Sequence, residues 1–358
     1  MYVYLSIIIY LISFLFITTL VLIPNQDIPL HFMTIYADSQ DIGTLQNNIS
    51  NSLISNALTR VGILLAENNE TGQLFRNTSN IETDIAIMGS GINSNNSFLN
   101  VYRNATFVPG TTSGNDICGH GSEVAAIVAA KDNNNVIVGM APGARLWDVK
   151  VLGDECTGST VSVLEGINYV TQHADEIDIA LLTAYSYMPG KVLESAIERS
   201  AQTGVTYIIP AGNDNFNSTA FRDIAASIIK VSGIVDTDGK CGGLGPPSKS
   251  GKDDSFAAFS NYGPDIDIAA PSVEVPTLIN EGNIIKLSGT SQAAALVAGA
   301  AAIYKANNPQ AISQDILSAL LASGSTPQTP CDGDGRGYFT GDPDPHPEPL
   351  LYVKDLAQ

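Results

Sequence analysis

Positive charge is scarce in this chain: 17 Lys and Arg stand against 36 Asp and Glu, a formal net charge of −19 over 358 residues. Such a balance repels nucleic-acid phosphates and anionic lipid head groups, so we expect neither as a partner. Charge of either sign is thin, at 15% of residues, while apolar residues reach 44%, which excludes a disordered chain and suits a sizeable folded domain. A basic n-region, the usual start of a signal peptide, is also missing, because the first Lys or Arg is Arg60. No convincing small-residue cleavage site follows, "IYA" at 35–37 being a weak match. The four cysteines, Cys118, Cys156, Cys241 and Cys331, lack any C-x-x-C metal spacing. They are open to two disulfides in three possible connectivities, or to four reduced buried thiols.

What is present begins with "MYVYLSIIIYLISFLFITTLVLIP", which carries no charged side chain. About 20 apolar residues cross a bilayer as a helix, so residues 1–24 read as an uncleaved membrane anchor. Flanking Lys and Arg are too far away to orient it. Asn-x-Ser/Thr sequons at Asn48, Asn69, Asn77, Asn95, Asn104 and Asn217 place the remainder outside the cell, membrane-anchored or secreted. Residues 25–57 are polar and Asn-rich, and there Asp41 would cap a helix carrying Leu45, Ile49, Leu53 and Leu58 on one face. From 58 to 325, apolar strands ("TDIAIMG", "ARLWDVKVL", "IDIALLT", "VTYIIPAG", "IIKVSGI") alternate with helical patterns ("GSEVAAIVAAK", "TVSVLEGINYVTQHA", "KVLESAIERSAQTG", "SQAAALVAGAAAIYKA"). That alternation predicts an α/β domain with a parallel sheet covered on both faces. Residues 326–358 are rich in Pro, Gly and Asp and read as a surface loop or tail. Its "DGDG" lacks the later ligands of a calcium loop, so no metal is expected there.

Several strand ends and helix starts offer chemistry. Gly89-Ser90-Gly91 followed by Ser94 echoes a dinucleotide fingerprint, but "INSNNSFLN" does not open a helix to meet a phosphate. His120, in "CGHGSEVAAIVAA", sits between two glycines at a helix start and is the residue type that titrates nearest neutral pH. Ser291, in "LSGTSQAAALVAG", starts a helix of small residues whose unpaired N–H groups could hold an oxyanion. Asn213 ends the buried strand of "IIPAGNDN" and could donate its amide. Taken singly, each has a plainer reading: an incidental histidine, an N-cap serine, a turn asparagine.

Taken in order, His120, Asn213 and Ser291 make the chain resemble the subtilisin-like serine proteases. G-H-G-S-E-V-A-A stands for the family's G-H-G-T-H-V-A-G, P-A-G-N for A-A-G-N, and G-T-S-Q-A-A-A-L-V-A-G for G-T-S-M-A-A-P-H-V-A-G. "VGMAPGARLWDVKVL", "GINYVTQHADEIDIA" and "FSNYGPDIDIAAPSVEV" extend the likeness over roughly 58–325. The resemblance implies a three-layer fold with a mostly parallel seven-stranded sheet. It implies a Ser291 nucleophile, a His120 base and an oxyanion hole of Asn213 and the Ser291 N–H. Thr183, Ala184 and Tyr185 would meet an extended peptide substrate. The reaction needs no cofactor; structural calcium is common in the family, but its ligands cannot be placed in this sequence. The resemblance also pairs Cys118 with Cys156, leaving Cys241 with Cys331.

The pattern breaks where the family carries its third triad member. Aligning "IAIMGSGIN" with V-A-V-I-D-T-G-I-D puts Gly89 at the orienting aspartate's place. Tyr185 replaces a glycine of the P1 pocket, Gln292 a methionine, Ala295 a proline and Glu123 a second histidine. Asp116 and Asp84 are the nearby carboxylates that could stand in for the lost one, Asp84 at the wrong end of its strand. Two functions are therefore expected in competition: an exported serine endopeptidase of reduced activity, or a catalytically inactive relative that binds peptides or a protein partner.

Overall fold

The computed structural model of the chain describes residues 55–63, 81–131, 137–184, 190–218, 228–279, 283–333, 335–354 and 356. The expected anchor at 1–24 and the helix capped by Asp41 lie outside them, as does Tyr185. Among the described residues no helix is long and apolar enough to cross a membrane.

The apolar runs form strands as expected. β1 (Asp84–Gly89), β2 (Val101–Thr106), β3 (Arg145–Lys150), β4 (Ile179–Leu182), β5 (Thr206–Pro210), β6 (Ile228–Val235), β7 (Ser255–Phe256) and β8 (Ile268–Pro271) join in one sheet. The order is β2-β3-β1-β4-β5-β6-β7, with β8 also pairing β6. All pairings are parallel except β6 with β7. The sheet thus has eight strands where seven were expected; the short antiparallel β7 is the addition. A separate antiparallel hairpin joins β9 (Val275–Leu278) to β10 (Ile284–Leu287).

Alternation along β1 sends Ile85 and Ile87 to one face and Ala86 and Met88 to the other. On the first face pack α2 (His120–Ala129), α5 (Thr290–Asn307) and α6 (Ser313–Ser323). On the second pack α3 (Thr160–Gln172) and α4 (Lys191–Ala201). This is the three-layer arrangement expected for continuous apolar strands. A further short helix, α1 (Asn56–Arg60), precedes the sheet and buries Ala57 and Leu58. Its Arg60 is fully buried and paired with Asp254 at 2.8 Å.

The C-terminal segment corrects the expectation of a surface tail. It is irregular, as its Pro and Gly content demands, but Phe339, Leu350, Leu351 and Val353 are buried. Leu351 N donates to Ala269 O and Val353 N to Val61 O, both at 2.8 Å. Pro and Gly density reports the lack of regular structure, not exposure; the apolar "LLYV" supplies the burial.

The parallel topology puts the C-terminal ends of β1, β4 and β5 at one edge, with β4 between the other two. The expected catalytic residues follow these ends or start the helices that return from them.

Candidate active site

At the end of β1, Gly89 leaves a tight place with a defined direction for a side chain. A Cβ built there would lie 2.8 Å from Thr183 Oγ1 and 3.8 Å from Gly121 Cα. A side chain at this position would therefore point toward the start of α2, where His120 stands. The next residue has a different task. Ser90 Oγ donates to Asp116 Oδ1 at 2.9 Å and accepts from Gly121 N at 2.9 Å. Asp116 in turn accepts from Gly119 N and Ser122 N, each at 2.8 Å. Asp116 and Ser90 thus bind the backbone on both sides of His120 and satisfy N–H groups that a helix start leaves open. Gly119 holds φ +95°, a conformation that favours glycine.

His120 is 5% exposed, and neither Nδ1 nor Nε2 finds a hydrogen-bond partner. Burial pushes its pKa down, against an upward pull from Asp116, so the ring is neutral near pH 7. Asp116 acts on the ring through its field alone, its oxygens being taken up by the helix start. Asp84 lies at the opposite end of β1, where it pairs with Arg145 at 2.6 Å and binds Trp147 Nε1 at 2.7 Å. Two further acids surround this helix start. Burial, helped by Asp116, pushes Glu123 up to about 7; burial pushes Asp148 of β3 up to about 8.

The other half of the site is fully wired. Asn213 follows β5 and is half-buried. Its Oδ1 accepts from Thr290 N at 2.9 Å and from Thr290 Oγ1 at 3.0 Å. Thr290 Oγ1 accepts in turn from Gly212 N at 3.1 Å. With Oδ1 committed to Thr290, the donor end of the amide is the free end. Thr290 directly precedes Ser291, so the contact fixes Asn213 against the first turn of α5. Ser291 itself is fully buried. Behind Asn213, Asn261 braces the loop: its Nδ2 donates to Ala211 O, and its Oδ1 accepts from the N–H groups of Asp214 and Phe216. Thr290 and Asn261 were missed as supporting residues, although both lie in stretches quoted for the resemblance.

Between the two halves, Thr183 and Ala184 extend the end of β4 and are buried. Thr183 binds Met88 O through both its N–H and its Oγ1, each at 3.1 Å. The disulfide Cys118–Cys156, with Cα atoms 5.4 Å apart, ties the approach to His120 to the loop after β3. Cys241–Cys331 is the second bridge, so both expected pairings are formed.

Comparison with known proteins agrees with this architecture. The model of the subtilase family matches residues 74–337. Subtilisin Savinase of Lederbergia lenta is 34% identical over 225 residues, which cover 63% of this chain and 77% of the relative. An alkaline protease of Shouchella clausii is also 34% identical over 225 residues, but these span only 54% of its length. Among solved structures, a cold-adapted subtilisin-like serine proteinase superposes with a TM-score of 0.59 at 23% identity, covering 76% of this chain and 88% of that one. That likeness speaks for the fold, and the family match speaks for descent: the chain belongs to the subtilase family.

Proposed function

We propose that the chain is an exported serine endopeptidase acting through Ser291 and His120, with turnover lowered by the absence of a carboxylate at Gly89. The observation that carries this reading is the pair of bonds from Thr290 to Asn213 Oδ1, which turns the amide donor away from Thr290 beside the start of α5. In the reaction, Ser291 Oγ attacks the peptide carbonyl while His120 takes its proton. The oxyanion is held by Asn213 Nδ2 and the Ser291 N–H at the positive end of α5. His120 then returns the proton to the leaving amine, and water releases the acyl group. Thr183 and Ala184 lie where an extended peptide could run beside β4, with Tyr185 next along the chain.

Gly89 affects the histidine step. A triad carboxylate fixes the imidazole tautomer and stabilises the imidazolium, and its loss from a Ser-His-Asp triad lowers kcat by about 10⁴. His120, buried and without a ring partner, carries that deficit. The second reading, peptide binding without turnover, is favoured by Gly89 together with the full burial of Ser291. For location, we keep residues 1–24 as the membrane-targeting segment and 58–325 as the catalytic domain, extended by the packing of residues up to 353. Membrane fractionation tests the first assignment: recovery of the chain in the soluble medium would replace an anchor by secretion.

The deciding experiment exposes the purified chain to a fluorophosphonate probe and to casein. Labelling that disappears in Ser291→Ala supports the endopeptidase. A folded protein that neither labels nor cleaves leaves the binding function.

A further inference from the structure

Glu123 is a buried acid that the proteolytic steps above leave without a task. It lies in the first turn of α2, three residues after His120, a spacing that makes the two side chains neighbours on the helix surface. Its N–H donates to Gly119 O at 3.1 Å, and Thr277 Oγ1 of β9 donates to its carbonyl at 2.6 Å, so its backbone is held from two sides. The side chain runs back toward the helix start, the usual direction in a helix. A Cβ built on Gly119 would lie 3.3 Å from Glu123 Oε1. The carboxylate thus rests over the residue that precedes His120. Glu123 is 9% exposed, and no donor among the described residues reaches its side chain.

The approach is not the one that Gly89 vacates. A side chain at 89 would arrive beside Gly121 Cα, whereas Glu123 arrives beside Gly119. Both ring nitrogens of His120 are without a partner, so Glu123 acts on the ring through charge and not through a hydrogen bond. In a buried place that action is little screened. The other charges on the elements packed against α2 are committed elsewhere. Asp116 caps the helix start. On β3, Lys150 Nζ donates to Ser90 O and pairs with Asp154 at 3.6 Å, and burial pushes Asp148 up to about 8. Arg145 of β3 pairs with Asp84 of β1 at the far end of both strands. Glu274 and Lys286, on the β9–β10 hairpin, pair with each other at 3.5 Å. The charged residue of α5 is Lys305, in its last turn.

We propose that Glu123 is a positioning residue for proteolysis: its carboxylate stabilises the imidazolium that His120 becomes, taking over part of the task left open at Gly89. The proposal rests on the endopeptidase reading and deepens it. As Ser291 Oγ attacks, its proton passes to His120 and later to the leaving amine; Glu123 holds its negative charge throughout and exchanges no proton. The role carries a pH signature. Burial, helped by Asp116, lifts Glu123 to about 7, so the acid is neutral below that pH and charged above it. The ring of His120, with its pKa pushed down, is already a competent neutral base across that change.

The test compares kcat/KM on a chromogenic peptide for the wild type and Glu123→Gln from about pH 6 to about pH 9, with urea midpoints to check folding. The two should agree near pH 6 and diverge above pH 7, the variant becoming about ten-fold slower by pH 8.5 with KM unchanged. Glu123→Asp should keep the pH-dependent advantage in part. Glu123→His, uncharged above pH 7, should follow the glutamine variant and serves in its place if that protein does not fold. A rate ratio that stays constant with pH would overturn the proposal and leave the endopeptidase reading intact, as would a loss carried by KM alone. A folded wild type inert to both peptide and fluorophosphonate would overturn both, since no imidazolium then forms.

Discussion

The ends of β1 and β5 lie at the same edge of the same sheet, two strands apart, and they are equipped very differently. At β5, Asn213 is held by Thr290, its loop by Asn261, and Ser291, the proposed nucleophile, follows Thr290 directly in the chain. At β1, Gly89 offers no side chain, yet the bonds around it are complete: Ser90 and Asp116 grip the backbone flanking His120. The contrast separates two requirements that usually coincide at a strand end. Holding a histidine's backbone takes caps and close glycine contacts; making the ring a strong base takes a carboxylate aimed at Nδ1. The β1 end meets the first and lacks the second.

The sharpest way to break the contrast is Gly89→Asp. Restoring the carboxylate should raise kcat on a chromogenic peptide by about 10²–10⁴. The new Cβ would sit 2.8 Å from Thr183 Oγ1, so that hydroxyl must rotate, and Gly89→Asp with Thr183→Ala should do at least as well. A folded double variant with unchanged kcat would mean that the deficit lies elsewhere in the cleft. From the opposite side, Asn213→Ala should lower kcat by about 10²–10³ with little change in KM, as expected for a donor that acts only on the transition state. Equal losses in binding and turnover would instead make Asn213 part of the substrate groove.

Smaller effects probe the scaffold. Asp116→Ala strips acceptors from Gly119 N, Ser122 N and Ser90 Oγ, and should cost about 2–4 kcal/mol in urea unfolding. A cost near zero would show that water caps α2 equally well. The remaining effect is a pH dependence. Asp148, at about 8 in the folded protein, keeps a proton that the unfolded chain releases near pH 4. Its contribution to stability therefore falls as pH rises from about 4 to about 8. Asp148→Asn should come nearest the wild type at about pH 4 and gain on it progressively up to about pH 8.5, as read from urea midpoints. Parallel pH profiles for the two proteins would show that Asp148 ionises normally.

Much of this was legible in the sequence, for identifiable reasons. The parallel strands are continuous apolar runs, and the helices carry small or amphipathic faces, so periodicity located both. His120, Asn213 and Ser291 sit in short glycine-bearing motifs that few backbones can tolerate, which made them visible. β2 was not visible: "VYRNAT" is an edge strand with Tyr102, Arg103 and Asn104 exposed, so no apolar alternation marks it. Asp148 was hidden inside an apolar strand pattern, where one acid looks like noise until burial reveals its state. "DGDG", the segment that drew attention to calcium, lies beside the second disulfide, where Asp332 Oδ1 approaches Cys241 Sγ at 3.7 Å.

The bond from Val353 N to Val61 O has a consequence for the order of events during synthesis. It joins the end of the first described helix to nearly the last described residues, a contact of very long range in sequence. Contacts of that kind form late, because the whole intervening chain must be ordered before they can close. Residue 353 must leave the ribosome before the core can seal around β8, where Leu351 also binds. A nascent chain that has not yet delivered residues 350–353 leaves the places that Leu350 and Val353 fill open to solvent. The domain therefore cannot finish folding vectorially from α1 onward: its core stays open until residues 350–353 are available to close it.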